Sequence, residues 1–243
     1  MENWFYNPSI TFYMWSISHL VFIFLTLFTL FAFYFLRNQL IPYRDNIRIL
    51  VGWALILSRL SLDIWYLITN TWNLNHSLPL ELCSIATICC GIMLLTNNKF
   101  LLEVFYFIAI GGAIQAILTP DLQFGFPQFR FLQFFIDHTL LILAPLLLIW
   151  LYQYSITWRS IWKSFLTLNL IALFVFIINI LIDANYMFLR EKPQAGSLLD
   201  FLGPYPYYIL FLEIVCLIIF SILYIPFYIK RKNKYKKAAA SNN

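Results

Sequence analysis

Apolar residues fall in seven long runs from one end of the chain to the other, each broken off by a short polar or proline-bearing segment. A helix needs ~20 such residues to cross ~30 Å of hydrocarbon, so each run predicts a transmembrane helix. The runs are Trp15 to Leu36, Ile47 to Ile68, Leu78 to Leu95, Phe100 to Leu118, Phe131 to Tyr152, Ile161 to Ile182 and Tyr207 to Ile229. A membrane β-barrel would show strands of ~10 residues alternating apolar and polar, and that alternation is absent. The expected fold class is therefore all-α: a polytopic bundle of seven transmembrane helices forming one integral membrane domain over 1–243, with no internal repeat or linker.

Basic residues orient the bundle, because loops rich in Lys and Arg stay on the cytoplasmic side. Twelve of the sixteen fall on one side: Arg37, Arg44, Arg48, Lys99, Arg159, Lys163 and the six between Lys230 and Lys237. The other side holds Arg130, Arg190 and Lys192, while Arg59 lies inside a span. The N-terminus is expected outside and the C-terminus, with its basic tail from Lys230, in the cytoplasm. The first run is not expected to be a removable signal peptide, since no basic residue precedes it, it is too long for an h-region, and Arg37 follows it.

Polar positions inside the runs share a depth. Counted from the outer ends, His19, Asp63 and Arg59, Glu81 and Cys83, Gln115, Asp137 and His138, and Glu213 occupy a layer roughly 4 to 14 Å below the outer surface at 1.5 Å per residue. Interhelical fastening explains any one of them, Arg59 and Asp63 being an i, i+4 pair. A charge at depth costs at least ~2.5 kcal/mol on insertion scales, so a common depth on most helices favours one cavity fed from the outer leaflet. The outer loops Thr119 to Arg130 and Asp183 to Pro206 are dense in Pro and aromatic residues, which suits an interfacial belt and also a cap over such a cavity.

Composition removes other function classes. With 62% hydrophobic and 11% charged residues, there is little surface for a soluble domain. The net charge of +5 comes from the tail, whose expected partner is anionic lipid; so short a basic run beside a membrane does not suggest nucleic acid. The four cysteines lie inside spans without metal or redox spacing. No cofactor is expected, and the lack of an HExxH-like spacing leaves no metal site predicted.

Within the layer, Cys83 and His138 have a recognisable chemical job. An imidazole can take the thiol proton, and the thiolate can accept an acyl group as a thioester. Asp137 points about 100° away from His138 around the helix, so the groups placed to orient the ring are His19, Glu81 or Glu213 across the bundle. The bland reading of Cys83 is a small packing residue, as for Cys89, Cys90 and Cys216. Arg59 or Arg130 suits a lipid phosphate, and Gln115 or a backbone N–H near Cys83 suits an oxyanion. Pro145 is expected to kink the fifth helix and free the Leu141 carbonyl.

Several strings are also familiar. Leu78-Pro79-Leu80-Glu81-Leu82-Cys83, Thr119-Pro120-Asp121-Leu122, Phe129-Arg130-Phe131-Leu132-Gln133-Phe134-Phe135 leading to His138, Asn185-Tyr186-Met187-Phe188-Leu189, Leu198-Leu199-Asp200 and Leu202-Gly203-Pro204 resemble the YwaF-like family of bacterial integral membrane proteins. That family is similar to an animal multispanning acyltransferase that moves acyl chains between glycerophospholipids, with a Cys and a His as proposed catalytic pair. The resemblance implies those roles for Cys83 and His138 and a phospholipid or lysolipid substrate, while a composition rich in Ile, Phe, Asn and Lys suits an AT-rich bacterial genome and so a bacterial plasma membrane with the polar layer facing outward. A proton-coupled carrier using Asp63, Glu81, Asp137, His138 and Glu213, or a noncatalytic lipid-binding protein that tolerates Cys83→Ala, is the alternative.

Overall fold

The computed structural model describes residues 4–192 and 201–240. Pro193, the Leu198-Leu199-Asp200 string and residues 241–243 lie outside the described residues. Seven α-helices carry the chain: α1 Ile17–Leu40, α2 Arg44–Ile68, α3 Leu82–Thr96, α4 Lys99–Leu118, α5 Phe129–Leu151, α6 Trp158–Ile182 and α7 Tyr207–Ala240. No strand is present among the described residues, only an isolated bridge between Thr11 and Phe124. The continuous stretch Ile17–Ile68, α4, α5, α6 and the Tyr207–Lys234 part of α7 are long and apolar enough to cross a membrane, while α3 is a shorter apolar helix of 15 residues.

Local chemistry sets the ends. Ser16 and Asn98 cap α1 and α4 by accepting the His19 and Leu101 N–H groups, and Thr157 with Ser160 forms a capping box on α6. Asn97 and Asp183, both left-handed, stop α3 and α6. The helix expected to start at Leu78 starts at Leu82 instead. Pro79 disfavours helical geometry in the residue before it, and the Leu80 N–H turns back to the Leu78 carbonyl at 2.8 Å. Glu81 becomes the extended N-cap. At the other extreme α7 continues past Ile229 through the basic tail, where Lys and Ala are strong helix formers.

Side-chain bonds give the helix directions. Arg48 near the start of α2 bonds Tyr152 just past the end of α5 at 3.0 Å, and Ser58 further along α2 bonds Gln133 near the start of α5 at 3.1 Å. α2 therefore runs against α5, and against α3 as well, whose last turn receives Arg48 on the Leu94 and Leu95 carbonyls. α1 runs with α5, Thr26 bonding Thr139 and Tyr34 packing on Trp150. The turn Ile41–Tyr43 thus reverses the chain between α1 and α2.

α4 and α5 are the centre. Nearly every α4 residue from Leu102 to Gly111 is buried, as is most of α5 from Phe131 to Leu151, and the core gathers around them. Pro145 sits buried inside α5. α1, α6 and α7 expose rows of Leu, Ile and Phe, the surface a hydrocarbon solvent requires. α2 and α3 approach closely at Gly91, where a Cβ would lie 2.6 Å from Ile56 and 3.3 Å from the Gly52 carbonyl.

The end opposite the basic loops is closed by chain rather than left as helix tips. Residues before α1 lie across it: Phe12 and Gly125 donate to the Gln123 and Ile10 carbonyls at 2.9 Å, and Phe129 donates to the Trp4 carbonyl at 2.7 Å. The fully buried Gln128 amide accepts from Asn7 N–H and donates to the Ile10 carbonyl, both at 2.7 Å. Trp65 donates to the Phe5 carbonyl beneath a cluster of Tyr6, Phe124 and Phe129.

Candidate functional site

Three helices bring polar side chains to a common seam under this strap. From α2 come Ser58, Arg59 and Asp63; from α3 and its cap, Glu81, Cys83 and Thr87; from α5, Gln133 and Asp137, which bond Ser58 and Thr87, with Arg130 bonded to Gln133 and with His138 next to Asp137, its hydrogen bond and ring contact being to its own helix. Since α3 and α5 run the same way and Thr87 donates to Asp137 Oδ2 at 2.8 Å, Cys83 stands one turn above that bond, level with Gln133.

Cys83 is the second residue of α3. Glu81 supplies no side-chain cap; its carboxylate instead accepts the Met187 N–H at 3.1 Å. Among the described residues the first N–H groups of α3 therefore have no hydrogen-bond partner, and the helix end that carries Cys83 is left with free donors for negative charge. Asp137, Glu81 and Arg130 are the charged groups close enough to act on Cys83, and Asp137 and Arg130 also act on His138. No hydrogen bond joins Cys83 and His138 directly among the described residues.

The His138 ring is held from its own helix. Its Nδ1 lies 2.8 Å from the Phe134 carbonyl, which can only accept, so Nδ1 carries the proton and Nε2 the lone pair in the neutral ring. Phe134 lies against the imidazole with centroids 4.1 Å apart, and the Arg130 guanidinium sits over the same phenyl ring at 5.5 Å from its centroid. Arg130 donates to Gln133 Oε1 at 2.7 Å and has no carboxylate partner among the described residues. Arg59 is committed: Nη2 bonds Asp63 at 2.5 Å and the Ser77 carbonyl at 3.1 Å. Two buried polar atoms of the seam have no hydrogen-bond partner, Asp137 Oδ1 and Arg59 Nε.

The remaining layer residues lie elsewhere. His19, fully buried, accepts the Trp15 N–H on Nδ1 at 3.0 Å, tying down the chain just before α1, and donates from Nε2 to the Ile117 carbonyl at 2.8 Å, fastening α1 to α4. Glu213 accepts from Asn169 at 3.0 Å between α7 and α6. Gln115 is half-buried near the end of α4, its carbonyl accepting from Thr119. The ring of His138 is therefore oriented by Phe134, and none of His19, Glu81 and Glu213 bonds it. All four cysteines are free, and no three His, Cys, Asp or Glu side chains converge as metal ligands among the described residues.

Several participants escape a reading by charge alone. Thr87 and Gln133 are polar breaks in apolar runs, one turn after Cys83 and three residues after Arg130, and that spacing was the available signal. Tyr186 had none. Its backbone is locked to buried Asn179 by two bonds of 2.9 Å, and its hydroxyl donates to the Leu74 carbonyl and accepts the Leu78 N–H. Burial pushes that phenol above its usual pKa, which keeps the hydroxyl a donor. The turn around Tyr186 thereby caps the head of α3 from the α6–α7 side.

Apolar helices of crossing length, lipid-facing rows and a buried polar seam define a multi-pass α-helical membrane protein. The family follows from comparison: a model of the TMEM164 family matches residues 11–224, and the chain belongs to that family. No curated protein and no solved structure matches it.

Proposed function

We propose that the protein is a lipid acyltransferase or lipid hydrolase using Cys83 as nucleophile and His138 as base. The observation that carries this is the seat of Cys83: a thiol in the first turn of an uncapped helix, in a seam shared with a histidine whose free nitrogen is Nε2. Burial and the Asp137 and Glu81 carboxylates oppose a thiolate at Cys83; the helix N-terminus and Arg130 act the other way, and the N–H groups of the first turn favour the oxyanion of a tetrahedral intermediate.

In the first half-reaction Nε2 takes the Sγ proton and the thiolate attacks an ester carbonyl carbon. The C–S bond forms, the ester C–O bond breaks, and the departing alkoxide takes the proton back from the imidazolium. In the second, His138 deprotonates a lysolipid hydroxyl or water, that oxygen displaces sulfur, and the thiolate recovers the proton. Arg130, free of a carboxylate partner, holds the lipid phosphate. Asp137 stabilises the imidazolium through space, and its open Oδ1 is the acceptor for a substrate or lysolipid hydroxyl.

In this reading all seven helices cross the bilayer, the N-terminus and the strap lie outside, and the basic ends of α6 and α7 lie in the cytoplasm. The YwaF-like resemblance supports a bacterial plasma membrane and an outer-leaflet phospholipid or lysolipid as substrate. The test is covalent labelling of purified protein with a lipid acyl-phosphonate or thiol-reactive lipid probe, read by intact mass. Wild type should gain one adduct; Cys83→Ala none; His138→Ala at least tenfold more slowly with an unchanged size-exclusion profile. An unmodified Cys83, or equal labelling without His138, defeats the assignment and leaves a carrier or a noncatalytic lipid-binding protein.

A further inference from the structure

A second site lies at the opposite end of the molecule. Between the first turn of α6 and the last apolar turns of α7 is a cleft of about 710 Å³, walled by Trp158, Tyr224 and Tyr228 and finished by Arg231 and Lys232. The volume is that of a ligand pocket rather than a packing defect, which small-molecule sites fill at ~300–1,000 Å³.

The lining is graded along the helix axis. Tyr224, Tyr228, Arg231 and Lys232 follow one face of α7 at helical spacing, apolar at the deep end and cationic at the shallow end. Trp158 packs edge-on to Tyr224, with centroids 5.8 Å apart, and closes the back wall. Ile229 is the last apolar residue before the basic run, so the two cations stand where headgroups begin. The carboxylates of this end are engaged elsewhere: Asp45 by Arg44, Arg48 and Tyr152, and Glu103 by Lys163. No carboxylate pairs with Lys232 among the described residues.

We infer that this cleft is a binding site for one anionic phospholipid of the leaflet at the basic end, its phosphate on Lys232 and Arg231 and its upper acyl chain against the Trp158 and Tyr224 rings. The site needs the helices to cross the bilayer and is independent of any chemistry at Cys83. It differs from a general attraction of the tail to an acidic surface in having a wall, a depth and a stoichiometry of one.

The experiment uses the full-length protein in phosphatidylcholine micelles titrated with brominated phosphatidylglycerol, following tryptophan quenching. Brominated phosphatidylcholine and a Trp158→Phe variant isolate the Trp158 signal. Phosphatidylglycerol should quench that signal at a mole fraction at least tenfold lower than phosphatidylcholine, and Lys232→Gln should raise the required fraction about fivefold. Lys236→Gln with Lys237→Gln removes twice the charge from the same tail and should change it less than twofold. Equal quenching by the two lipids overturns the site; so does a larger loss from the Lys236 and Lys237 changes, which would mean diffuse attraction, or displacement by inorganic phosphate, which would mean a simple anion site. Because no readout involves Cys83, failure here leaves the acyl-transfer proposal standing, and the converse holds.

Discussion

Gln128→Leu isolates what holds the N-terminal strap down. The leucine keeps the side-chain volume in a fully buried position but removes both amide bonds, the one from Asn7 N–H and the one to the Ile10 carbonyl. Ile10 retains its bond from Gly125, so that carbonyl is not orphaned. At about 1 kcal/mol per bond, with a further part of the desolvation penalty at Asn7, the strap should lose about 2 to 3 kcal/mol. The loss is local, because α4 and α5 and their core do not depend on Gln128. An opening equilibrium shifted by that amount rises about 30- to 150-fold. Hydrogen exchange in detergent reads it directly: the Phe12, Gly125 and Phe129 amides, which close the strap onto the outer loop, should exchange faster by that factor, with amides in the middle of α5 unchanged. A change below threefold at those three amides, or acceleration spread through α5, would refute the strap as a separately held unit.

Three further changes probe neighbouring features. Gly125→Ala places a Cβ 2.5 Å from the Thr11 carbonyl, which the bonds of Ile10 and Phe12 hold in place; overpacking of about 1 to 3 kcal/mol should speed exchange of the Phe12 and Phe129 amides about 5- to 150-fold, and unchanged exchange counts against the packing described. Asn179→Leu removes two bonds to the Tyr186 backbone and should release the turn over α3, seen as tryptic cleavage at Arg190 at least tenfold faster than in wild type. Thr87→Val leaves Asp137 with neither oxygen hydrogen-bonded. Interhelical bonds in membranes average ~0.6 kcal/mol and reach ~1.7, and a charged acceptor belongs at the upper end, so a loss of about 1 to 2 kcal/mol in detergent unfolding is expected.

How much was legible follows from what each signal measures. Apolar runs report helices faithfully, and an α-helix overlies every one of the seven. Their ends shifted where local chemistry competed with hydropathy, at Pro79 ahead of α3 and in the Lys- and Ala-rich continuation of α7. Depth along a helix is also legible, since it needs only the rise per residue. Azimuth is not, because it depends on which helices pack together, and His19 and Glu213 share the depth of Cys83 while facing other seams. The strap was invisible for a different reason. It is held by backbone bonds and a single buried amide, neither of which leaves a periodicity in the residues before Trp15.

The distinction between fasteners and chemistry in this bundle is one of unused hydrogen-bonding capacity. His19 uses both ring nitrogens, and Asn179 uses its carbonyl and its amide, so each is accounted for by the packing it secures. In the α2, α3 and α5 seam the account stays open: among the described residues Asp137 Oδ1, Arg59 Nε and the first N–H groups of α3 have no partner, and His138 keeps a lone pair on Nε2. An unmet buried polar group costs about 1 to 3 kcal/mol, and elsewhere the described chain satisfies such groups almost completely. Acceptors and donors of both signs lie within a turn or two of one thiol, so a single bound molecule carrying a carbonyl, a hydroxyl and a phosphate would satisfy them together. Ester lipids carry that set, and for this reason the acyl-transfer proposal rests on the seam rather than on the shared depth of the layer.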